Sequence, residues 1–105
     1  MGRKREWTEI IIWDRVRVRV KAETDKGSVT DMMVQLELNE DDWQPVIRYN
    51  FAHGKPHMDK MHKDGSKEKV WLEGRNLNDI LSYAQVDIRS NWRRHLKECG
   101  YHEIY

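Results

Sequence analysis

With 105 residues, 38% of them hydrophobic and five of them Trp, the chain has room for one domain and one modest core, and two independent domains are excluded. A formal charge of +1 gives no whole-chain reason to expect a polyanionic partner, and no apolar run approaches the ~18 residues of a membrane-spanning helix. The single Cys99 makes no internal disulfide and Ile10-Ile11-Ile12 is too short for a signal-peptide core, so the expectation is a folded cytoplasmic protein with no membrane association.

Trp7 to Trp13 is apolar on both faces around Ile10-Ile11-Ile12, and either continues the next strand past a bulge or forms a strand of its own. Arg15-Val16-Arg17-Val18-Arg19-Val20-Lys21 alternates strictly, valines to one face and cations to the other, as a half-buried strand requires. Asp25-Lys26-Gly27 supplies a turn. Val29 to Leu38 then alternates again, with Met32, Val34, Leu36 and Leu38 inward and Gln35 and Glu37 outward. After the acidic turn Asn39 to Asp42, Trp43 to Phe51 reads as a strand with Ile47, Tyr49 and Phe51 on one side and Arg48 and Asn50 on the other. Pro45 lacks an N–H, which places the start of this strand at an edge or a bulge.

His53-Gly54-Lys55-Pro56 reads as a loop, and Asp64-Gly65 as the turn of a hairpin between Met58–His62 and Lys67–Leu72. Asn76 with Asp79 three residues on is a capping pattern, and Leu77, Leu81, Ala84, Ile88, Trp92 and Leu96 recur at helical spacing, giving one helix from about Leu77 to Glu98. Gly100 suits the residue just past its end. The expected fold is α+β: a four- to five-stranded antiparallel sheet in β-β-β-β-β-α order, packed against one long C-terminal helix. Residues 1–105 form a single domain, with 1–5 and 101–105 as tails.

Charge falls in blocks. Residues 1–22 hold Arg3, Lys4, Arg5, Arg15, Arg17, Arg19 and Lys21 against Glu6, Glu9 and Asp14, whereas residues 23–45 hold only Lys26 against Glu23, Asp25, Asp31, Glu37, Glu40, Asp41 and Asp42. Neighbouring strands of opposite sign pair charges across the ladder. Alternation also places Arg15, Arg17, Arg19 and Arg48 on one sheet face with Glu37 among them as counter-ion. The same cations would form a phosphate-contacting stripe. The five Trp read as core and rim of a small domain, and Cys99, at a helix C-terminus where the dipole disfavours thiolate, as structural.

The densest polar segment runs from Arg48 to His62 and holds His53, His57 and His62. Imidazole and carboxylate bind zinc, but the spacing of His53, His57, Asp59 and His62 matches no established motif, so neither metal nor cofactor is expected. Metal-independent RNA cleavage needs a base for the 2′-hydroxyl, an acid for the leaving oxygen and a cation for the charge on phosphorus. His53, His57 or His62 suit the first two roles, and Arg48 or Lys55 the third, provided the imidazoles are exposed and converge with Arg48.

Arg48-Tyr49-Asn50, then Ala52-His53-Gly54-Lys55-Pro56-His57-Met58-Asp59, then Asp64-Gly65-Ser66-Lys67-Glu68-Lys69 and the helix Leu77 to Trp92 resemble a small uncharacterised prokaryotic family that reads Arg-Tyr-Asp, Ala-His-Gly, His-x-Asp. More distantly, the order of strand, Arg-Tyr-Asp, Gly-Lys, His and closing helix is similar to the TumE-type toxins of toxin–antitoxin pairs. That resemblance implies a small protein acting on RNA and silenced by an antitoxin protein, with Arg48, Tyr49, Gly54, Lys55 and His57 at its site. Asn50 stands where the pattern has Asp, and an Asn supplies neither a base nor a charged ligand.

Two functions follow from these readings. The first is a toxin-like component of a toxin–antitoxin pair and an endoribonuclease, with His53, His57, Arg48, Tyr49 and His62 as its catalytic set and Lys55, Arg15, Arg17 and Arg19 contacting RNA. The second is a non-catalytic module whose open sheet face or edge strand binds a protein or a second copy as a homodimer.

Overall fold

The computed structural model describes residues 2–52, 54–72 and 74–102. The alternating segments form β1 (Arg3–Ile12), β2 (Val16–Asp25), β3 (Ser28–Glu40), β4 (Asp42–Ala52), β5 (Lys55–Met61) and β6 (Lys67–Trp71), followed by α1 (Leu77–Glu98). The strands form one antiparallel sheet in the order β1-β2-β3-β4-β5-β6, a meander in which each strand pairs with its sequence neighbours. The sheet therefore has six strands where the sequence suggested four or five. The apolar run around Ile10-Ile11-Ile12 is a strand of its own with a bulge between Ile10 and Ile12, and Trp13 to Arg15 turn the chain into β2.

Two expected boundaries move. Arg3 to Arg5, expected in a tail, pair with Thr24, Glu23 and Ala22 of β2. At the far end Tyr101 is 6% exposed and packs on the core, because Gly100 (φ 93°) turns the chain back. Gly100 N–H bonds the Lys97 carbonyl and Tyr101 N–H the Leu96 carbonyl, the paired bonds of a helix closed by a left-handed residue. Lys55 and Pro56, expected in a loop, already belong to β5, paired with Ala52 and Phe51.

Pro45 lies in β4, an internal strand, so its missing N–H needs a local solution. The register shift between Leu36 and Glu37 supplies it: Ile47 sits opposite Leu36 and Pro45 opposite Glu37, leaving Val46 in a bulge, fully buried. At the β2–β3 turn, Lys26 and Gly27 both take positive φ (51° and 82°), as a tight two-residue hairpin demands.

Helix α1 lies over β3 and β4. Asn76 caps it by accepting the Asp79 N–H at 2.9 Å. Val16, Val18 and Val20 of β2, Val34, Leu36 and Leu38 of β3 and Ile47 of β4 form the sheet side of the core, and Ile80, Ala84, Ile88, Trp92 and Leu96 the helix side. The buried stripe starts at Ile80, while Leu77 and Leu81 are half-buried at its margin. No helix of the described residues is long and apolar enough to cross a membrane.

Candidate functional site

A period-2 sheet with its apolar side under α1 must turn its polar side chains the other way. The register aligns them in rows across the strands. Thr8, Arg19, Gln35, Arg48, Asp59 and Lys69 form one row from β1 to β6, and Glu6, Lys21, Met33, Asn50, His57 and Trp71 the next. Arg48 and His57 thus occupy one face, in adjacent rows of adjacent strands.

The arginines are tied into an internal network. Arg17 Nε donates to Glu37 Oε1 at 2.6 Å, and its guanidinium lies over the Trp43 ring, 3.8 Å from the centroid. Arg19 sits 3.6 Å from the other Glu37 oxygen and 3.1 Å from Glu6. Gln35 donates to Glu37 and accepts from Arg48 Nε. Glu37 is therefore the counter-ion among the arginines, and Gln35 relays it to Arg48. Arg15 stands apart in the β1–β2 turn, donating to the Asn39 carbonyl at 2.8 Å. Its own carbonyl accepts the Asn39 N–H, which continues the β2–β3 pairing one residue beyond Val16.

Gln35, Glu37, His57 and Asp59 are all buried, although α1 packs on the other face of the sheet. Long neighbouring side chains close over them. His57 is 3% exposed, with its ring edge-on to Trp71 at 5.5 Å. Its Nδ1 lies 3.2 Å from the Lys55 carbonyl, which can only accept, so Nδ1 carries the proton; Nε2 lies 3.4 Å from Asp59 Oδ2. His57 is therefore buried among Lys55, Asp59 and Trp71, and is not the exposed imidazole that acid–base work requires. Asp59 Oδ1 and Asn50 Oδ1 are buried with no hydrogen-bond partner among the described residues. Lys55 and Lys69 flank the half-exposed Trp71, at 5.9 and 5.2 Å from its ring centroid.

The expected catalytic set is divided between the two faces. His53 lies outside the described residues. Tyr49 points under α1, where its hydroxyl donates to Asp87 Oδ2 at 2.7 Å. His62 follows β5 on the side of Lys60, which reaches Glu98 of the helix, and is bonded to Glu68 at 2.7 Å. Of the described members of that set, Arg48 and His57 share the open face, while alternation sends Tyr49 and His62 to the helix side. Among the described residues, no group of three or more His, Cys, Asp or Glu side chains is placed to hold a metal.

A second polar cluster was not foreseen. Asp87 accepts from Tyr49, from Asn91 Nδ2 at 2.9 Å and from His95 Nε2 at 2.8 Å. The helix is distorted at Asn91 (φ −127°, ψ 16°), one turn after Asp87. Burial opposes ionisation of Asp87, but the bonds from His95, Tyr49 and Asn91 outweigh it and bring its pKa down to about 2. Burial, with the Asp87 bond, pushes the Tyr49 hydroxyl up. His95 Nδ1 is buried without a hydrogen-bond partner among the described residues. The available signal was spacing: Asp87, Asn91 and His95 recur every four residues beside the apolar stripe. Cys99 is buried, and burial pushes its thiol up, in keeping with a structural role.

The fold and this polar face define a small α+β protein, a six-stranded antiparallel meander backed by one helix. Residues 1–101 match the family described as domain of unknown function (DUF7718), and the chain belongs to that family. No curated protein and no solved structure matches it.

Proposed function

We propose that the open sheet face binds RNA, and that the chain is the toxin-like member of a toxin–antitoxin pair. The carrying observation is the neighbourhood of Trp71: a half-exposed indole between Lys55 and Lys69, on the same face as Arg48, Arg17 and Arg19. An aromatic face offers a base a stacking surface, and surrounding cations offer its phosphates partners. Binding is the better-supported step. Cleavage on this reading uses His57 as the base that takes the 2′-hydroxyl proton, water as the acid that protonates the leaving oxygen and Arg48 as the cation, once Trp71 moves off the imidazole.

Single-stranded RNA titrated over a salt series tests the proposal. Phosphate contacts release counterions, so affinity should fall steeply as salt rises, and Arg48→Ala should weaken binding across sequences. Absence of binding at low salt would overturn it. The second reading, a protein-interaction module, draws on the internal neutralisation of Arg17 and Arg19 by Glu37 and Glu6, which lowers the charge this face presents to a polyanion.

A further inference from the structure

We propose that the protein forms a two-fold dimer by antiparallel pairing of β1 with β1 of a second copy, centred on Trp7. The two ends of the meander differ. β6 has five residues, among them Lys67, Glu68 and Lys69, the short and charged build that blunts an edge. β1 has ten residues, pairs only with β2 among the described residues, and ends in Ile10, Ile11 and Ile12 before Trp13. Ile10 and Trp13 are 53% and 82% exposed. A long edge with an apolar end is a template for another strand.

The charges of β1 select the partner and the register. An isologous contact requires a strand complementary to itself read backwards. Centring on Trp7 places Arg5 opposite Glu9 of the second copy, twice by symmetry, with Glu6 opposite Thr8 and Lys4 opposite Ile10. Every pair keeps its side of the sheet, because residues summing to an even number share a face in this arrangement. Neighbouring registers are worse. Centring on Glu6 pairs Arg3 with Glu9 but sets the two Glu6 carboxylates against each other, centring on Arg5 pairs Lys4 with Glu6 but opposes the two guanidiniums, and centring on Thr8 pairs Trp7 with Glu9 and has no ion pair, so the Trp7 register alone of these combines two ion pairs with no like-charge contact.

The side chains are available for this. Arg5 is exposed and makes no ion pair of its own in the structure as described, only a contact over the Trp7 ring at 5.6 Å. Glu9 already accepts from Arg89 at 2.6 and 2.8 Å and from Trp7 at 3.0 Å. A carboxylate has about four acceptor positions, so one remains for an incoming guanidinium. The exposed Ile10 meets the aliphatic stem of Lys4 from the other copy. The product is one continuous sheet with both helices on the same side and both arginine faces on the other.

Sedimentation of the full chain over a dilution series should show a concentration-dependent species of twice the 12.7 kDa protomer. Directly opposed residues in antiparallel strands have Cα atoms ~4.5–5.5 Å apart, within disulfide range. Trp7→Cys should therefore oxidise to a covalent dimer and Thr8→Cys should not, the native Cys99 being 1% exposed and out of reach. Arg5→Glu, an exposed change, should weaken dimerisation about tenfold while circular dichroism and the thermal midpoint at monomeric concentration stay unchanged, and it decides the matter even if Trp7→Cys fails to fold. A monomer at every concentration, or cross-linking by Thr8→Cys in preference to Trp7→Cys, would overturn the proposal.

Discussion

The Tyr49 hydroxyl donates to Asp87 Oδ2 at 2.7 Å, joining the sheet to the helix through a buried polar contact in an otherwise apolar layer. Asp87 also serves Asn91 and His95, so its removal strands three donors at once. Asp87→Ala should cost about 3 kcal/mol or more, and Tyr49→Phe, which leaves Asp87 two donors, about 1–2 kcal/mol, both read by urea unfolding. Equal costs would mean that the network is not shared through Asp87.

The same carboxylate sets an acid limit. Its pKa lies at about 2 in the fold, below the ordinary 3.8, so folding favours the ionised form. The stability it contributes is complete above its unfolded value and drains away as pH falls from about 4 toward 2. Thermal midpoints over that window should fall less steeply in Asp87→Asn than in the native protein, since the variant has no proton to take up at this position.

Trp92 carries the helix side of the core and is 7% exposed. Trp92→Ala should cost roughly 3–5 kcal/mol, a large part of a small domain's stability. Val86, on the same helix but 62% exposed, is the control: Val86→Ser should stay within about 0.5 kcal/mol. A loss at Trp92 below about 1 kcal/mol would place that indole outside the core.

Strand faces and the helix were legible because period-2 and helical patterns are local: the Val16, Val18 and Val20 alternation and the Ala84, Ile88, Trp92, Leu96 stripe are both where the sequence put them. Ile10-Ile11-Ile12 was ambiguous because a strand apolar on both faces has no period to read. The site was legible only by face. Alternation alone separates Arg48 and His57 from Tyr49 and His62, but the burial of His57 depends on Trp71 from the next strand, and the partners of Tyr49 come from a helix nearly forty residues on. Contacts between distant segments leave no local pattern.

His57 is a structural as well as a functional test. His57→Ala would leave Asp59, 5% exposed and with one oxygen unpartnered among the described residues, without its neighbouring imidazole. A loss of about 1–3 kcal/mol is expected from this variant, measured by chemical denaturation. Asp59→Asn should cost less, because it removes the buried charge along with its need for a partner. The reverse order would show that the pair is held together by something other than the burial of Asp59.

Trp71 links binding to chemistry. Its ring is 51% exposed, belongs to the short edge strand β6, and touches Lys55, Lys69 and His57. A side chain so placed contributes little to the core, so Trp71→Ala should change stability by less than about 1 kcal/mol. Its loss removes a stacking surface, and base stacking on an aromatic ring contributes about 1–3 kcal/mol, so RNA affinity should fall roughly tenfold or more. The same substitution uncovers His57. If the imidazole acts as the base, single-turnover cleavage at saturating RNA should rise in Trp71→Ala, persist in EDTA, rise with pH to a plateau, and vanish when His57→Ala is added. Reduced affinity with no cleavage at any pH would leave the face as a binding surface, and unchanged affinity would remove Trp71 from the site.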